Sequence, residues 1–371
     1  HAYVRRQRQM CIRDRYAKKD GTPYNIYRDG LKIYTTLNTS LQDKAEAAVV
    51  RHLSGKDPLN KKANKVPALQ EKFDRNNRGL RRFPFSNTLK KSTVESILNR
   101  AKRSSARYYS VKRAGFNTGE INQAFQKPTP MKVFSWKGEI DTVMTPADSI
   151  KYYKSFLHTG LISIDPTTGF VKAWVGGANF KHFSYDHARQ GKRQVGSTIK
   201  PFVYATALSM KVVNPCTKFT EEEHCVDIVD ENNVLLSQFC PGGDAAETVS
   251  LGIAKSSNPT TAGVMRRMGR FNSFRKTGGP FQIDKLLKKM NIVLRPEDLV
   301  PAMCLGSMDL SLYEIVSAQC IFVNDGVYNK PTTIERIEDR NGKVIYEAHQ
   351  ERQKVLSPTV AHEVLKMMVG V

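Results

Sequence analysis

The stretch "RQVGSTIKPFVYATAL", residues 193–208, constrains the chain more than any other. Ile199, Phe202, Val203 and Ala207 recur at helical spacing, so this segment must turn a face into a core. Pro201 is tolerated only in a first helical turn, where its missing N–H is one of the donors orphaned anyway. The helix is therefore predicted to begin near Ser197. Ser197 and Lys200, three residues apart, then share one face about a turn from each other. A lysine kept neutral by burial can remove a serine's proton. The positive end of the helix favours the negative charge that develops, and the serine's own N–H can face an oxyanion. Taken alone, Ser-x-x-Lys at a helix start is more commonly a cap and a surface lysine. It recurs at Ser273 and Lys276 in polar "NSFRK", which reads as a loop.

A second motif follows in "KSSNPT", where Ser256 and Asn258 form Ser-x-Asn and Pro259 marks a loop-to-helix junction. A second hydroxyl beside the lysine can relay a proton to a leaving amine, and an amide can hold a peptide backbone. The simpler reading of Asn258 is a helix cap.

Around these motifs the chain alternates between strand and helix signals. "LKIYTT" (31–36) reads as a strand. Ser40 and Asp43 resemble a capping box, opening a helix with Leu41, Ala45, Ala48 and Val49 as its stripe. Two helices are expected between 51 and 115, and alternating strands over 130–145. A helix follows Thr145 with Pro146 at its first position. "LISID" and "FVKAWV" form a hairpin closed by Gly169. Further helices are expected after 247, near 282–291, near 310–323 and at the end of the chain. A second hairpin turns at "RNGK".

The net charge is +23, and residues 51–113 carry 18 Lys or Arg against 4 Asp or Glu. Such a block suits a nucleic acid, an anionic membrane or an acidic polymer, although a solvated face is the commoner case. No RNA- or DNA-binding motif accompanies it, so no nucleic-acid partner is expected. No Cys/His spacing suits a metal, and no apolar run is long enough to span a bilayer. Cys216, Cys225 and Cys240 cluster in a polar stretch where a disulfide can form, whereas Cys304 and Cys320 read as free thiols. "RRQRQMCIRDR" (5–15) has no apolar period and reads as one frame of a sequencing adapter. Residues 1–15 are accordingly expected to be non-native.

With both motifs in view, the chain resembles the transpeptidase domain of the bifunctional, class A penicillin-binding proteins. "RQVGSTIKPFVYATAL" looks like their nucleophile helix, and "GLISIDPTTGFVKAWVGG" like the strand pair before it. "LGSMDLSLYEIVSAQCIFVNDGVYNKPTTIERIEDRNGKVI" looks like the region after Ser-x-Asn. "YRDGLKIYTTLNTSLQDKAEAAV" is similar to the connector from their glycosyltransferase domain. The resemblance covers about 22–50 and 140–371, and Val195 stands where the family usually has proline.

The resemblance implies an α+β fold of the serine D,D-transpeptidase and β-lactamase type, an antiparallel sheet flanked by helices. It implies a connector over 16–50, a basic α+β insertion over 51–145 and a transpeptidase domain over 146–371. Ser197 would be the nucleophile, Lys200 the base, Ser256 a proton relay and Asn258 a substrate contact. Stem peptides ending in D-Ala-D-Ala and β-lactams would be the partners, with no cofactor or metal. Anionic lipid or wall polymer would suit the basic block. The third family motif, Lys-Thr-Gly, is expected on a strand beyond Val371. "KTG" at 276–278 falls too early in the family's order and in a polar context, and "HTG" at 158–160 precedes the nucleophile. Without that strand, residues 1–371 by themselves are expected to be inactive or nearly so. A glycosyltransferase domain and a membrane helix are expected upstream, on the extracytoplasmic side of a bacterial membrane. A β-lactamase, a β-lactam sensor and a basic polymer-binding protein are the alternatives.

Overall fold

A computed structural model describes residues 18, 21–56, 59, 68–77 and 84–370. The adapter-like segment and part of the basic block lie outside them. The chain divides into two compact units. One gathers the described residues up to Gln42, Gly160–Gly177 and the chain from Ser184 onward. The other holds those of 43–159 together with 178–183.

Strand β1 (Lys32–Thr35) and helix α1 (Thr39–Ser54) come first. Ser40 is not the cap of α1; the Asn38 side chain takes that place, accepting from Leu41 N–H at 2.9 Å. The buried stripe is Ala45, Ala47, Val49 and Leu53, with Ala48 exposed. In the second unit lie α2 (Leu69–Asn77), α3 (Lys91–Arg103), α4 (Ala106–Arg113) and α5 (Thr118–Gln126). Neither α3 nor α4 has a fully buried residue. Strands β2 (Thr129–Ser135) and β3 (Gly138–Met144) form an antiparallel hairpin. Helix α6 (Pro146–Lys154) starts at the Thr145 cap with Pro146 in its first turn, and it belongs to this second unit. The centre of the unit is aromatic. Phe134 meets Trp136, Phe156 and Phe183 edge-on with ring centroids 5.2 Å apart.

The first unit continues with the hairpin of β4 (Leu161–Ile164) and β5 (Val171–Val175). Its turn closes where Gly169 N–H donates to Asp165 O with Gly169 at φ +68°. Strand β6 (Lys192–Gln194) leads through a 3-10 turn, Gly196–Ile199, into α7 (Lys200–Ser209). Every residue of α7 from Lys200 to Ala207 is buried. A helix apolar on all sides has to lie inside a core, and α7 does so. Packed around it are α8 (Val249–Ala254), α9 (Asn258–Arg267) and α10 (Gly279–Lys288). Between α7 and α8 comes the hairpin of β7 (Val226–Val229) and β8 (Leu235–Phe239), closed by a Cys225–Cys240 disulfide.

Beyond α10, β9 (Asp309–Ser311) pairs antiparallel with β6 and runs into α11 (Leu312–Gln319). Strand β10 (Val327–Asn329) precedes β11 (Ile334–Glu338) and β12 (Val344–Glu347), which flank the Asn341–Gly342 turn. Strand β13 (Arg352–Lys354) pairs with β10, and α12 (Pro358–Met368) packs on α7. The three-stranded sheet β1–β11–β12 is antiparallel, with Ile33 opposite Ile337 and Ile337 opposite Tyr346. The resulting α+β unit surrounds α7 with helices and short antiparallel ladders.

Candidate active site

The site is built at the entry of α7. Helix geometry proper begins at Lys200, three residues later than the proline suggested, and Ser197 lies in the preceding 3-10 turn. The Lys200 N–H donates to Ser197 O, so the two residues are joined through the backbone. Ser197 is exposed, and its hydroxyl makes no hydrogen bond among the described residues. The turn is fixed from outside. Val195 N–H donates to Met308 O and Gly196 N–H to Gly306 O, each at 3.1 Å, extending the β6–β9 ladder to the serine. Thr198 Oγ1 donates to Val195 O at 2.7 Å.

Lys200 is only 2% exposed. Its Nζ donates to Ser256 O at 2.5 Å, Asn258 Oδ1 at 2.7 Å and Ser256 Oγ at 3.1 Å. Burial pushes the ammonium below the ordinary lysine value of 10.5, and the nearby Cys304 thiol acts weakly the other way. That thiol is itself buried, which pushes it up to about 12 and keeps it neutral. Two of the three acceptors, a carbonyl and an amide oxygen, can only accept. A neutral amine satisfies both with its two N–H groups. Its lone pair is then left for the Ser256 hydroxyl, 3.1 Å away.

The Ser-x-Asn segment is shaped for this contact. Ser256 sits at φ +51°, a left-handed backbone that costs a non-glycine residue about 1–2 kcal/mol, and it presents both carbonyl and hydroxyl to Nζ. Asn258 is not the helix cap. Ser257 caps α9, accepting from Thr260 N–H at 3.3 Å, which leaves the Asn258 amide for Lys200. The structure thus joins Lys200, Ser256 and Asn258 through side chains, and Ser197 through the backbone alone.

Gly306 is part of the site, although no motif in the sequence singles it out. It sits at φ +76°, and a Cβ there would fall 2.1 Å from Gly196 O. An isolated glycine after a short apolar run signals a left-handed turn, but nothing local names its distant partner. "KTG" at 276–278 lies in a loop before α10, with Lys276 and Gly278 both at positive φ. Among the described residues no cluster suits a metal ion.

Fold and site together place an exposed serine one turn before a buried lysine at the entry of a core helix. A family model for the penicillin binding protein transpeptidase domain matches residues 159–371, and one for the penicillin-binding protein middle domain matches 81–157. The chain belongs to the penicillin-binding protein transpeptidase family. It is 27% identical over 354 residues to penicillin-binding protein 1A of Rickettsia prowazekii, covering 93% of this chain and 42% of that protein. To penicillin-binding protein 2D of Bacillus subtilis it is 30% identical over 218 residues, covering 58% and 30% respectively. The chain spans less than half the length of either relative. The crystal structure of penicillin-binding protein 1A from Haemophilus influenzae superposes with a TM-score of 0.59 at 16% identity. That match covers 99% of this chain and 57% of the other, and it establishes the shared fold.

Proposed function

We propose that this chain carries the acyl-enzyme chemistry of a peptidoglycan D,D-transpeptidase. The observation that carries the reading is the buried Lys200 amine, held by Ser256 and Asn258 one turn from an exposed serine. Ser197 Oγ attacks the carbonyl of the penultimate D-Ala as its proton passes to neutral Lys200. The new Oγ–C bond gives a tetrahedral oxyanion, favoured by the helix entry and the Ser197 N–H. Ser256, bonded to Nζ, carries the proton to the leaving nitrogen. The C–N bond breaks, and D-Ala departs with a neutral amine. An amine from a neighbouring strand then takes the acyl group by the reverse sequence, and Asn258 holds the stem peptide. A β-lactam would acylate Ser197 by the same first step, its ring opening in place of departure.

The Cys225–Cys240 disulfide supports a place outside the cytoplasm, where such bonds persist. The membrane anchorage and the glycosyltransferase of the parent protein belong to the same proposal. Among the described residues, no helix is long and apolar enough to cross a membrane. The bases on α3 and α4, helices with no fully buried face, suit contact with an anionic lipid or wall polymer. The test is turnover of a D-Ala-D-Ala thioester by a protein that contains this chain and the Lys-Thr-Gly strand expected of the family. Loss of turnover in Ser197→Ala and Lys200→Met supports the reading, and turnover unchanged in Ser197→Ala overturns it.

A further inference from the structure

The first unit contains a cavity of about 250 Å³ that the chemistry above does not use. Arg189, Lys192, Ser311, Tyr313, Glu314 and Lys330 are among its lining residues, whereas Ser197, Lys200, Ser256 and Asn258 are not. Pockets for drug-sized ligands begin at about 300 Å³, so this one suits a smaller molecule. Its lining carries three cations against the single carboxylate of Glu314, with Glu351 outside the lining paired to Lys330.

That carboxylate is already committed. Glu314 Oε2 accepts from Ser311 N–H and Ser311 Oγ, both at 2.7 Å, closing the capping box of α11. Its Oε1 accepts from Lys192 Nζ at 3.3 Å. This is the one hydrogen bond of the Lys192 ammonium among the described residues, and an ammonium carries three donors. The Lys330 ammonium meets Glu351 at 2.9 Å across an exposed pair, an arrangement that an incoming anion can replace. Arg189 lies 4.6 Å above the Tyr313 ring centroid, which fixes the plane of its guanidinium fork. A planar fork suits carboxylate and phosphate groups.

We propose that this cavity binds a small polyanion bearing carboxylate or phosphate groups, held by Arg189, Lys192 and Lys330. Two of its lining residues, Lys192 and Ser311, are tied to the nucleophile turn. Lys192 pairs with Ser311 and Gln194 with Asp309, and the same ladder continues through Val195–Met308 to Gly196–Gly306. An anion bridging Lys192 to Lys330 would steady the strand that ends at Ser197. The cavity is separate from the acyl-transfer residues, and anion binding there does not depend on their chemistry.

The test is calorimetric titration of the chain with inorganic phosphate and, separately, with citrate, at constant ionic strength. Lys192→Gln and Lys330→Gln are compared with wild type, together with a Lys102→Gln control on α3. Both cavity lysines are half-exposed at the side chain, so thermal denaturation should show folded variants. Saturable binding of at least one probe is expected, weakened about tenfold by each cavity substitution as one charge-assisted bond is lost. Lys102→Gln should leave it unchanged. The stronger probe distinguishes a phosphate from a carboxylate ligand. Hydrogen exchange across 192–197 should slow when that probe is bound. Absence of saturable binding by either probe, or equal affinity in wild type and both cavity variants, would overturn the assignment.

Discussion

Gly306→Ala would set a Cβ 2.1 Å from the carbonyl oxygen of Gly196 and 2.4 Å from its nitrogen, inside the turn that carries Ser197. Two costs can be worked out. A Cβ in the left-handed region at φ +76° costs about 1–2 kcal/mol. Losing the Gly196 N–H to Gly306 O bond costs about 0.5–1.5 kcal/mol. Urea denaturation should therefore show about 1.5–3.5 kcal/mol of destabilisation, which a folded domain survives. The geometric effect is larger in kind. Restoring 2.1 Å to the 3.0 Å below which real Cβ contacts essentially never fall needs a shift of about 0.9 Å. A displacement of about 1 Å at a reacting group costs on the order of 100-fold in rate. In a protein that contains this chain and the expected Lys-Thr-Gly strand, acylation by a fluorescent penicillin, followed by stopped assay on a variant shown folded by circular dichroism, should slow by about that factor. A folded Gly306→Ala that is acylated at the wild-type rate would refute the claim that Gly306 positions the serine.

Four further outcomes follow from particular residues. Because burial lowers Lys200 below 10.5, the unfolded chain binds the extra proton between the folded value and 10.5. Stability should rise with pH across that window, and urea melts of Lys200→Met should lack the rise. Asn258→Asp would place a carboxylate on Nζ and favour the ammonium, so the pH profile of acylation should move upward. Replacing Cys225 and Cys240 by serine removes a link across a separation of 15 residues. A loss of about 3 kcal/mol is expected in urea. Peptide mapping after iodoacetamide should find exposed Cys216 labelled well before Cys304, buried and pushed up to about 12, and Cys320, pushed up to about 11.

What could be read from the sequence was local. The Thr145–Pro146 helix start and both hairpins depend on residues within a few positions of each other, and each appears as expected. Pro201 correctly marked a helix entry but not its first residue. A 3-10 turn satisfies the same proline constraint, so the α-helix could begin at Lys200. Caps were harder. At 38–40 and at 256–258 neighbouring residues have similar capping chemistry, and tertiary contacts decide between them. Asn38 caps α1, and Ser257 caps α9 while Asn258 is drawn to Lys200. Three cysteines in one loop allow three pairings, and only the β7–β8 hairpin selects Cys225 with Cys240. Gly306 and the cation-lined cavity were invisible for a related reason. Each depends on contacts between segments about 100 residues or more apart, which no local spacing records.

Whether Ser197 is the acylated nucleophile is decided by intact-mass analysis after incubation with benzylpenicillin. The protein used should contain this chain together with the expected Lys-Thr-Gly strand. A single stable adduct of the mass of the opened lactam is predicted, mapped to the peptide holding Ser197 and absent in Ser197→Ala. A folded wild-type protein with no adduct, or an adduct that persists in Ser197→Ala, would show that Ser197 is not the nucleophile.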